Sequence, residues 1–530
     1  MKSLRETQLF PSIFVRRIIF SSLVIVTIAV MLYLMVQTLV PGGLSVSELV
    51  MIVLFGITLP WLAVGFWNAI IGFLLMRFSK DPVSAVLPAF KFIQEDAPIT
   101  QSTALLVCIR NEDAARIATQ LELSLASLFE QGVADKFHLY ILSDSNDAAL
   151  FAQEQAVFDT LAHDWAGRIN ITYRRREVNT GFKAGNVEDF CQRWGSEHTF
   201  AIVLDADSLM TASAMLRLVR VMQANPQIGI LQGLVVGMPA SSAFTRTFQF
   251  GMRLGMRSYT LGSAWWQADC GPYWGHNAVL RLEPFTKYCK LPLLSGSGES
   301  AVHILSHDQV EAVMMRRAGF EVRVFPQEDE NWEQNPPTMV EFVRRDLRWC
   351  EGNMQYFRLL GMPGLRLTSR AQLLLAILMF IGAPAWIGMF ILGTLMVAMS
   401  SEPGALIDPQ WGRALFAVVV LAQFLPKLAS ALEVLLNRTL RRSFGGAVHF
   451  ILGVLIESLF SILILPVMWF EQTVFLMRLL AGRKSGWTAQ IRANYSVPLS
   501  QAFRAFWMET LTGIILMGVL LYCAPGAWAY

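Results

Sequence analysis

Charge is absent from residues 18–47 of the chain and again from 49–76. Each run exceeds the roughly 20 apolar residues that carry a helix across a bilayer core. Arg16 and Arg17 precede the first run, and Arg77 and Lys80 follow the second. Basic flanks stay on the cytoplasmic side, so the link near Pro41-Gly42-Gly43 and Glu48 is expected outside. After Arg370 the chain is again uncharged to Ser401, with a kink expected at Pro384. The link 402–410 carries Glu402 and Asp408 and no basic residue, which predicts the outside. A fourth span runs over about 412–436 and returns to Arg438, Arg441 and Arg442. Reading 447–480 as a tight pair of short helices broken near Pro466 keeps Arg483, Lys484, Arg492 and Arg504 inside. A single helix there would put them outside. With the last apolar run at 508–524, seven spans result, the C-terminus outside.

Between 100 and 330 the pattern changes to short apolar runs alternating with amphipathic stretches. The runs Thr103–Ile109, Phe137–Ser143, Ile169–Tyr173, Phe200–Leu204 and Ile228–Val235 read as strands. Helices are predicted over 112–130, 147–162, 184–194 and 211–224. Such alternation predicts a mostly parallel sheet with helices on both faces. The expected domains are an N-terminal membrane hairpin at 1–80, a cytoplasmic α/β domain at 81–370, and a membrane bundle at 371–530 with a cytoplasmic loop near 481–506.

Composition sharpens this picture. Only 16% of the 530 residues are charged, against about 25% in an average globular protein. A mean hydropathy of +0.45 excludes disorder and argues against a wholly soluble protein. The net charge of +3, without a basic and aromatic stripe, points away from nucleic acid. None of the six cysteines forms a CxxC pair, so neither a zinc knuckle nor a disulfide framework is indicated. Five of them lie in the charged middle, which suits a reducing compartment. The first apolar run is too long for a cleavable signal peptide and lacks a small-residue cleavage site.

In parallel sheets, ligands bind beyond the carboxyl ends of the strands. Here those ends carry Arg110-Asn111-Glu112, Ser143-Asp144-Ser145, Arg174-Arg175-Arg176 leading to Lys183-Ala184-Gly185, and Asp205-Ala206-Asp207. No GxGxxG turn and no Walker lysine loop occurs. Two carboxylates at spacing two on a strand end project to one side and suit a hard divalent cation. Lys183 and Gly185 lie where backbone approaches a nucleotide, or in an ordinary loop opening a helix. At least two of the three arginines read as a solvated strand end. The loop Gly271-Pro-Tyr273-Trp274-Gly-His276-Asn277 offers aromatic faces to a sugar, or is a packed turn. Ser306-His307-Asp308 follows a Gly- and Ser-rich loop at 295–300 and opens a helix over 308–318, where an Asp serves as N-cap or as a base. Arg348-Trp349 suits a diphosphate and a sugar ring, or anchors the membrane interface.

Taken in order, these motifs resemble the membrane-embedded, processive inverting glycosyltransferases of family two, which include cellulose and hyaluronan synthases. The resemblance covers about 105–350 by motif and the rest by topology. The wording of Tyr273–Asn277, Ile304–Asp308, Arg316-Arg-Ala-Gly319, Arg344–Cys350, Trp487-Thr-Ala-Gln490 and Ala502-Phe-Arg504 is closest to the subfamily that makes the β-1,2-linked backbone of osmoregulated periplasmic glucans. Ser306-His307-Asp308 stands where the wider family has Thr-Glu-Asp, and Arg345 where it has glutamine. Both departures separate the chain from cellulose synthases.

The resemblance implies a GT-A type nucleotide-sugar-binding domain inserted between transmembrane helices, α/β plus membrane α-helical. It implies Asp308 as general base, and Glu112, Asp144, Lys183, Gly185, Asp205 and Arg348 around a UDP-glucose donor. Tyr273, Trp274, His276, Asn277 and Trp349 would face the acceptor glucan, and Asp205 and Asp207 a divalent cation, Mg2+ or Mn2+. The expected setting is a bacterial inner membrane, with lipid around the spans, the catalytic domain cytoplasmic and a periplasmic glucan-processing partner beyond. Export is expected through the membrane part, where Lys427, Glu433, Glu457 and Glu471 lie in or beside spans together with Trp386, Gln423 and Trp469. A structural Lys–Glu pair is the competing reading of these charges. Competing functions are another family-two synthase (cellulose, hyaluronan or a lipid-linked sugar) and a transporter with a nucleotide-sensing domain.

Overall fold

The two uncharged N-terminal runs form α1 (Ile13–Leu39) and α2 (Val46–Phe78) in the computed structural model, which describes residues 12–296, 301–483 and 495–524. Lys484, Trp487–Gln490, Arg492 and part of the loop at 295–300 lie outside the described residues. Ser45 opens α2 with a capping box in which Glu48 accepts the Ser45 backbone N–H at 3.0 Å. A short helix, α3 (Pro82–Val86), leads to the sheet domain. That domain runs β1 (Thr103–Ile109), α4 (Ala114–Glu130), β2 (Phe137–Ser143), α5 (Ala148–Asp164), β3 (Asn170–Arg175), α6 (Phe182–Trp194), β4 (Phe200–Asp205) and β5 (Ser208–Met210). It continues through α7 (Ala212–Ala224), β6 (Ile228–Gly237), α8 (Ala243–Gln267), β7 (Ala278–Arg281), α9 (Leu282–Tyr288), α10 (Asp308–Arg317), β8 (Glu321–Glu333) and α11 (Met339–Met354). The chain then returns to apolar helices: α12 (Leu367–Met399), α13 (Pro409–Leu436), the short α14 (Arg438–Ser443), α15 (Ala447–Leu480) and α16 (Leu499–Cys523).

The eight strands form one sheet in the order β3-β2-β1-β4-β7-β6-β8-β5. The first four are parallel, β7 is antiparallel to both neighbours, and β6 pairs β8 in parallel. Side chains alternate across the sheet, so β1 sends Leu105 and Val107 to one buried face and Ala104 and Leu106 to the other. Burial on both faces explains why the parallel strands read as continuous apolar runs. The second face also takes in Leu373 and Ile377 of α12. The membrane part and the sheet domain therefore share a core.

Six described helices, α1, α2, α12, α13, α15 and α16, are long and apolar enough to cross a membrane, and the protein is a multi-pass membrane protein. The expected break at Pro466 is absent, for α15 is one helix from Ala447 to Leu480. Proline removes one backbone bond, and in apolar surroundings the remaining bonds have no better partner than the helix itself. Pro60, Pro384 and Pro426 sit inside helices in the same way. Both halves of α15 meet the sheet domain. Phe450 and Phe460 lie against Phe250 and Phe244 of α8, and Gln472 donates to Asp346 of α11 at 2.7 Å.

α8 was not anticipated, and it joins the two parts. Its Trp266 stacks on Phe20 of α1 at 4.3 Å and donates to Asn68 of α2 at 2.8 Å. Arg257 pairs with Glu433 of α13 at 3.2 Å. Lys427 meets Glu457 at 2.6 Å, and Ser461 donates to the same carboxylate at 2.6 Å; Glu471 has a second carboxylate, Glu509, as its neighbour. Trp386 and Trp469 stack on each other at 4.9 Å. None of the residues expected to line an export path lines either of the two cavities described below, and the Lys427–Glu457 contact matches the competing reading of a structural pair. A buried charge is cheapest when it meets its opposite, and aromatic faces prefer one another to lipid-filled gaps.

Candidate active site

The carboxyl ends of β1 and β2 are tied together by Asn111, whose φ is +53°. Its backbone N–H donates to Ser145 Oγ at 2.6 Å, and its side chain exchanges bonds with Asn146 at 2.8 and 3.1 Å. Asn tolerates the left-handed region because its short amide bonds locally. Asp144 is buried and receives a two-pronged bond from Arg176, Nε at 2.7 Å and Nη2 at 2.8 Å. Arg176 also donates to the Phe182 and Thr180 carbonyls, which fixes the turn into α6. Arg174 donates to Asn186 at 2.6 Å and pairs with Asp189 at 2.9 Å. Arg175 lies over the Phe151 ring at 4.2 Å. The expectation of a solvated strand end is therefore corrected: each of the three arginines has a fixed partner, because α5 lies beside Arg175 and the turn and α6 fold back over Arg174 and Arg176.

Gly185 allows the first turn of α6 to rest on the Thr180 carbonyl, where any Cβ would collide. What the structure shows for it is this close approach, and it does not line the two cavities described below. Lys183, two residues earlier, donates to Asp205 and to the Gly275 carbonyl at 2.8 Å. Burial alone would lower its pKa. Asp205, Asp308 and the other groups around it together outweigh burial and the net shift is upward, which keeps the ammonium charged.

Asp308 is the first residue of α10, and the N-cap position is held by His307, whose side chain makes no capping bond. The Asp308 carboxylate therefore does not serve as the N-cap. Gly275, at φ +83°, lies beside Asp308, where an added Cβ would stand 3.4 Å from the Asp308 Cβ. The neighbouring His307 is committed elsewhere: its Nδ1 meets Glu311 at 2.8 Å. Burial would lower the His307 pKa, Glu311 opposes this, and the net shift is upward. His276 Nε2 meets Glu333 at 3.3 Å. Burial raises the Glu333 pKa; His276 and Arg345 oppose the rise, and Asp207 and Asp205 add to it.

These groups surround two adjoining cavities of about 790 and 630 Å3. Lys183, Asp205, Trp274, Asp308, Arg348 and Trp349 form a wall common to both. Glu112, Asp144, Asp207 and His276 line the larger one. The Arg345 guanidinium lies over the Trp349 ring at 4.8 Å. Cys108 also faces the larger cavity, with burial pushing its thiol up to about 12, so it stays protonated and is no nucleophile. Among the described residues no three His, Cys, Asp or Glu side chains form a complete metal-binding group. Asp205 and Asp207 offer hard oxygen donors to the larger cavity, which suits a cation that takes its other ligands from phosphate oxygens.

Tyr273 and Asn277 do not join the wall. Tyr273 is 1% exposed within the core, and Asn277 is fully buried with its side-chain amide donating to Asn331 and to the Trp332 carbonyl. The loop alternates sides, so Trp274 and His276 face the cavity while their neighbours anchor the turn. The larger cavity extends to the apolar helices, where Trp61 of α2, Tyr259, Thr260 and Gln267 of α8, and Gln372 of α12 line it. Sequence reasoning missed these. Thr260, Ser263 and Gln267 stand at helical spacing, a polar stripe legible once the stretch is read as a helix. Thr260 Oγ1 and Gln267 Oε1 are buried without a hydrogen-bond partner among the described residues.

Carboxylates, a lysine and an arginine gathered around one space at the strand ends suit a diphosphate with its cation. A profile described as "Glycosyl transferase family 2" matches residues 105–289, and "Glycosyl transferase family group 2" matches 200–401; the chain belongs to glycosyl transferase family 2. Its relatives include the glucans biosynthesis glucosyltransferase H of Dickeya dadantii (strain 3937), 35% identical over 481 residues, 88% of this chain and 56% of the relative. The protein of the same description from Pseudomonas putida (strain W619) is 35% identical over 501 residues, 92% of this chain and 57% of the relative. The chain thus spans a little over half the length of these curated relatives. A solved mannosyltransferase from Pyrobaculum calidifontis, in complex with GDP-mannose and Mn2+, aligns with a TM-score of 0.42 and 14% identity over 74% of this chain and 99% of that one.

Proposed function

We propose that the protein transfers glucose from UDP-glucose to a growing β-linked glucan, the backbone of a periplasmic glucan, and delivers it to the membrane. The observation that carries this reading is the common wall, where Asp308, Lys183, Asp205, Trp274, Arg348 and Trp349 meet from five separate segments. In this reading the sheet domain is cytoplasmic. Glu112 and Asp144 receive the nucleoside side of the donor. Asp308 accepts the proton of the acceptor hydroxyl, which attacks C1 of glucose as UDP leaves, so an α donor gives a β linkage in one displacement. Charge gathers on the departing diphosphate, and Lys183 and Arg348 act selectively on that state. A divalent cation, Mg2+ or Mn2+, would be held by Asp205 and Asp207 and would add positive charge there. Trp274 and Trp349 present aromatic faces to the acceptor, and His276 a polar edge.

The unpartnered Thr260 and Gln267 at the membrane end suit a hydroxyl-rich chain leaving along α8. Purified protein given labelled UDP-glucose with Mg2+ tests the reading. A polymer whose linkage analysis shows β-linked glucose, β-1,2 as the expected outcome, supports it. Transfer from another sugar nucleotide alone, or none, refutes it. In sealed inverted vesicles the glucan is expected in the lumen. Glucan remaining on the donor side separates synthesis from export.

A further inference from the structure

Glu154 of α5 is fully buried and lines neither cavity. A carboxylate removed from water needs hydrogen-bond donors, and three hydroxyls supply them. Ser143 Oγ donates to Oε2 at 2.6 Å, Ser145 Oγ donates to Oε1, and Tyr173 Oη donates to Oε2 at 3.1 Å. Burial first, with Glu154 adding to it, pushes the Tyr173 phenol up to about 12, so it remains a donor. A carboxylate only accepts, so every one of these protons points at Glu154. The serine oxygens are thereby left as acceptors. Ser145 Oγ takes the Asn111 N–H at 2.6 Å, and Ser143 Oγ takes the Ser145 N–H at 3.1 Å. The two serines flank Asp144, and Asn111 precedes Glu112.

Resting on the reading that this edge binds a nucleotide sugar, we propose that Glu154 is a positioning residue whose negative charge sets the hydrogen-bond polarity holding Asp144 and Glu112 at the donor site. Glutamine fills the same space but brings an amide NH2 that must point at a serine oxygen already accepting a backbone N–H. The Asn111 and Ser145 bonds then compete with it and the edge loosens.

The test compares nucleotide affinity and turnover. In Glu154→Gln the Kd for UDP and the KM for UDP-glucose rise about tenfold, with kcat within about twofold of wild type. Ser145→Ala weakens UDP binding similarly, and the double variant is no worse than either single, because both break one network. Phe158→Leu, on the same helix and fully buried, lowers the Tm and leaves the UDP Kd unchanged. Wild-type affinity in Glu154→Gln, an additive double variant, or a fall in kcat matching the rise in KM overturns the proposal. If Glu154→Gln does not fold, Tyr173→Phe, which spares both serine bonds, keeps the UDP Kd while Ser145→Ala weakens it; the reverse order overturns the proposal. Titrating wild type with UDP, GDP and ADP separates the two readings. A preference for GDP or ADP overturns UDP-glucose as donor, and the variants are then compared on the preferred nucleotide. Binding of none overturns both.

Discussion

Two lysines in this protein meet carboxylates, and their surroundings differ. Lys183 meets Asp205 on a cavity wall, beside Asp308, Trp274 and a carbonyl. Lys427 meets Glu457 between α13 and α15, closed in by Ser461 and by the backbone of Gly251. The first pair leaves space for a third party and stands among strand ends that hold charges apart. The second is complete in itself. An ion pair marks a site when the structure keeps room beside it, and marks packing when the structure fills that room.

The largest expected effect breaks the first region. Asp308→Asn lowers glucose transfer by about 10²–10⁴-fold, the usual worth of a positioned base, while UDP binding measured by calorimetry is retained. If His307→Gln shows that loss instead and Asp308→Asn does not, the roles exchange. For the second region, Lys427→Leu alone lowers stability by about 3–5 kcal/mol, because Glu457 is left buried and unpaired. The Lys427→Leu, Glu457→Leu double variant recovers most of this loss in detergent melting and keeps transfer. A double variant that melts normally but makes no polymer would return these residues to the export path. Asp207→Asn raises the Mg2+ concentration needed for half-maximal transfer roughly 10–100-fold. Full activity of this variant in excess chelator counts against a metal on these carboxylates. Thr260→Val with Gln267→Leu shortens the glucan about two- to threefold in mass spectra with initial transfer kept, by removing buried polar partners.

The smallest effect lies at the opposite edge of the sheet. Burial, and then His198, pulls the His138 pKa down to about 4. The unfolded chain takes up that proton near pH 6.5. His138 therefore stabilises fully above about 6.5, and the contribution is lost as pH falls toward 4. His138→Phe flattens the Tm between those pH values; an unchanged slope places the acid sensitivity elsewhere.

Much of the sheet was legible in the sequence. β1 and β2 begin and end where the apolar runs do, because strands buried on both faces carry no alternation to blur. β7, β8 and α8 were not legible. β7 has four residues, and β8 ends in Glu328–Glu333, a charged stretch that reads as loop. α8 mixes Gly, Thr and aromatics because it faces the membrane helices, the cavity and the sheet at once.

The sequence by itself determined where the apolar membrane segments lie, though not that 447–480 is one helix, giving six described spans in place of the seven expected. It also determined the parallel half of the sheet and the residue types gathered at its carboxyl edge, since length, apolar periodicity and strand ends are local properties. Which of those residues face a common space was decided by the tertiary structure. Trp274 and His276 line the wall while Tyr273 and Asn277 serve the core, although all four stand in one short loop. Lys427 is closed against Glu457 while Lys183 is left open beside Asp205. Orientation and free volume depend on what packs from distant segments, and no spacing within a single segment records that.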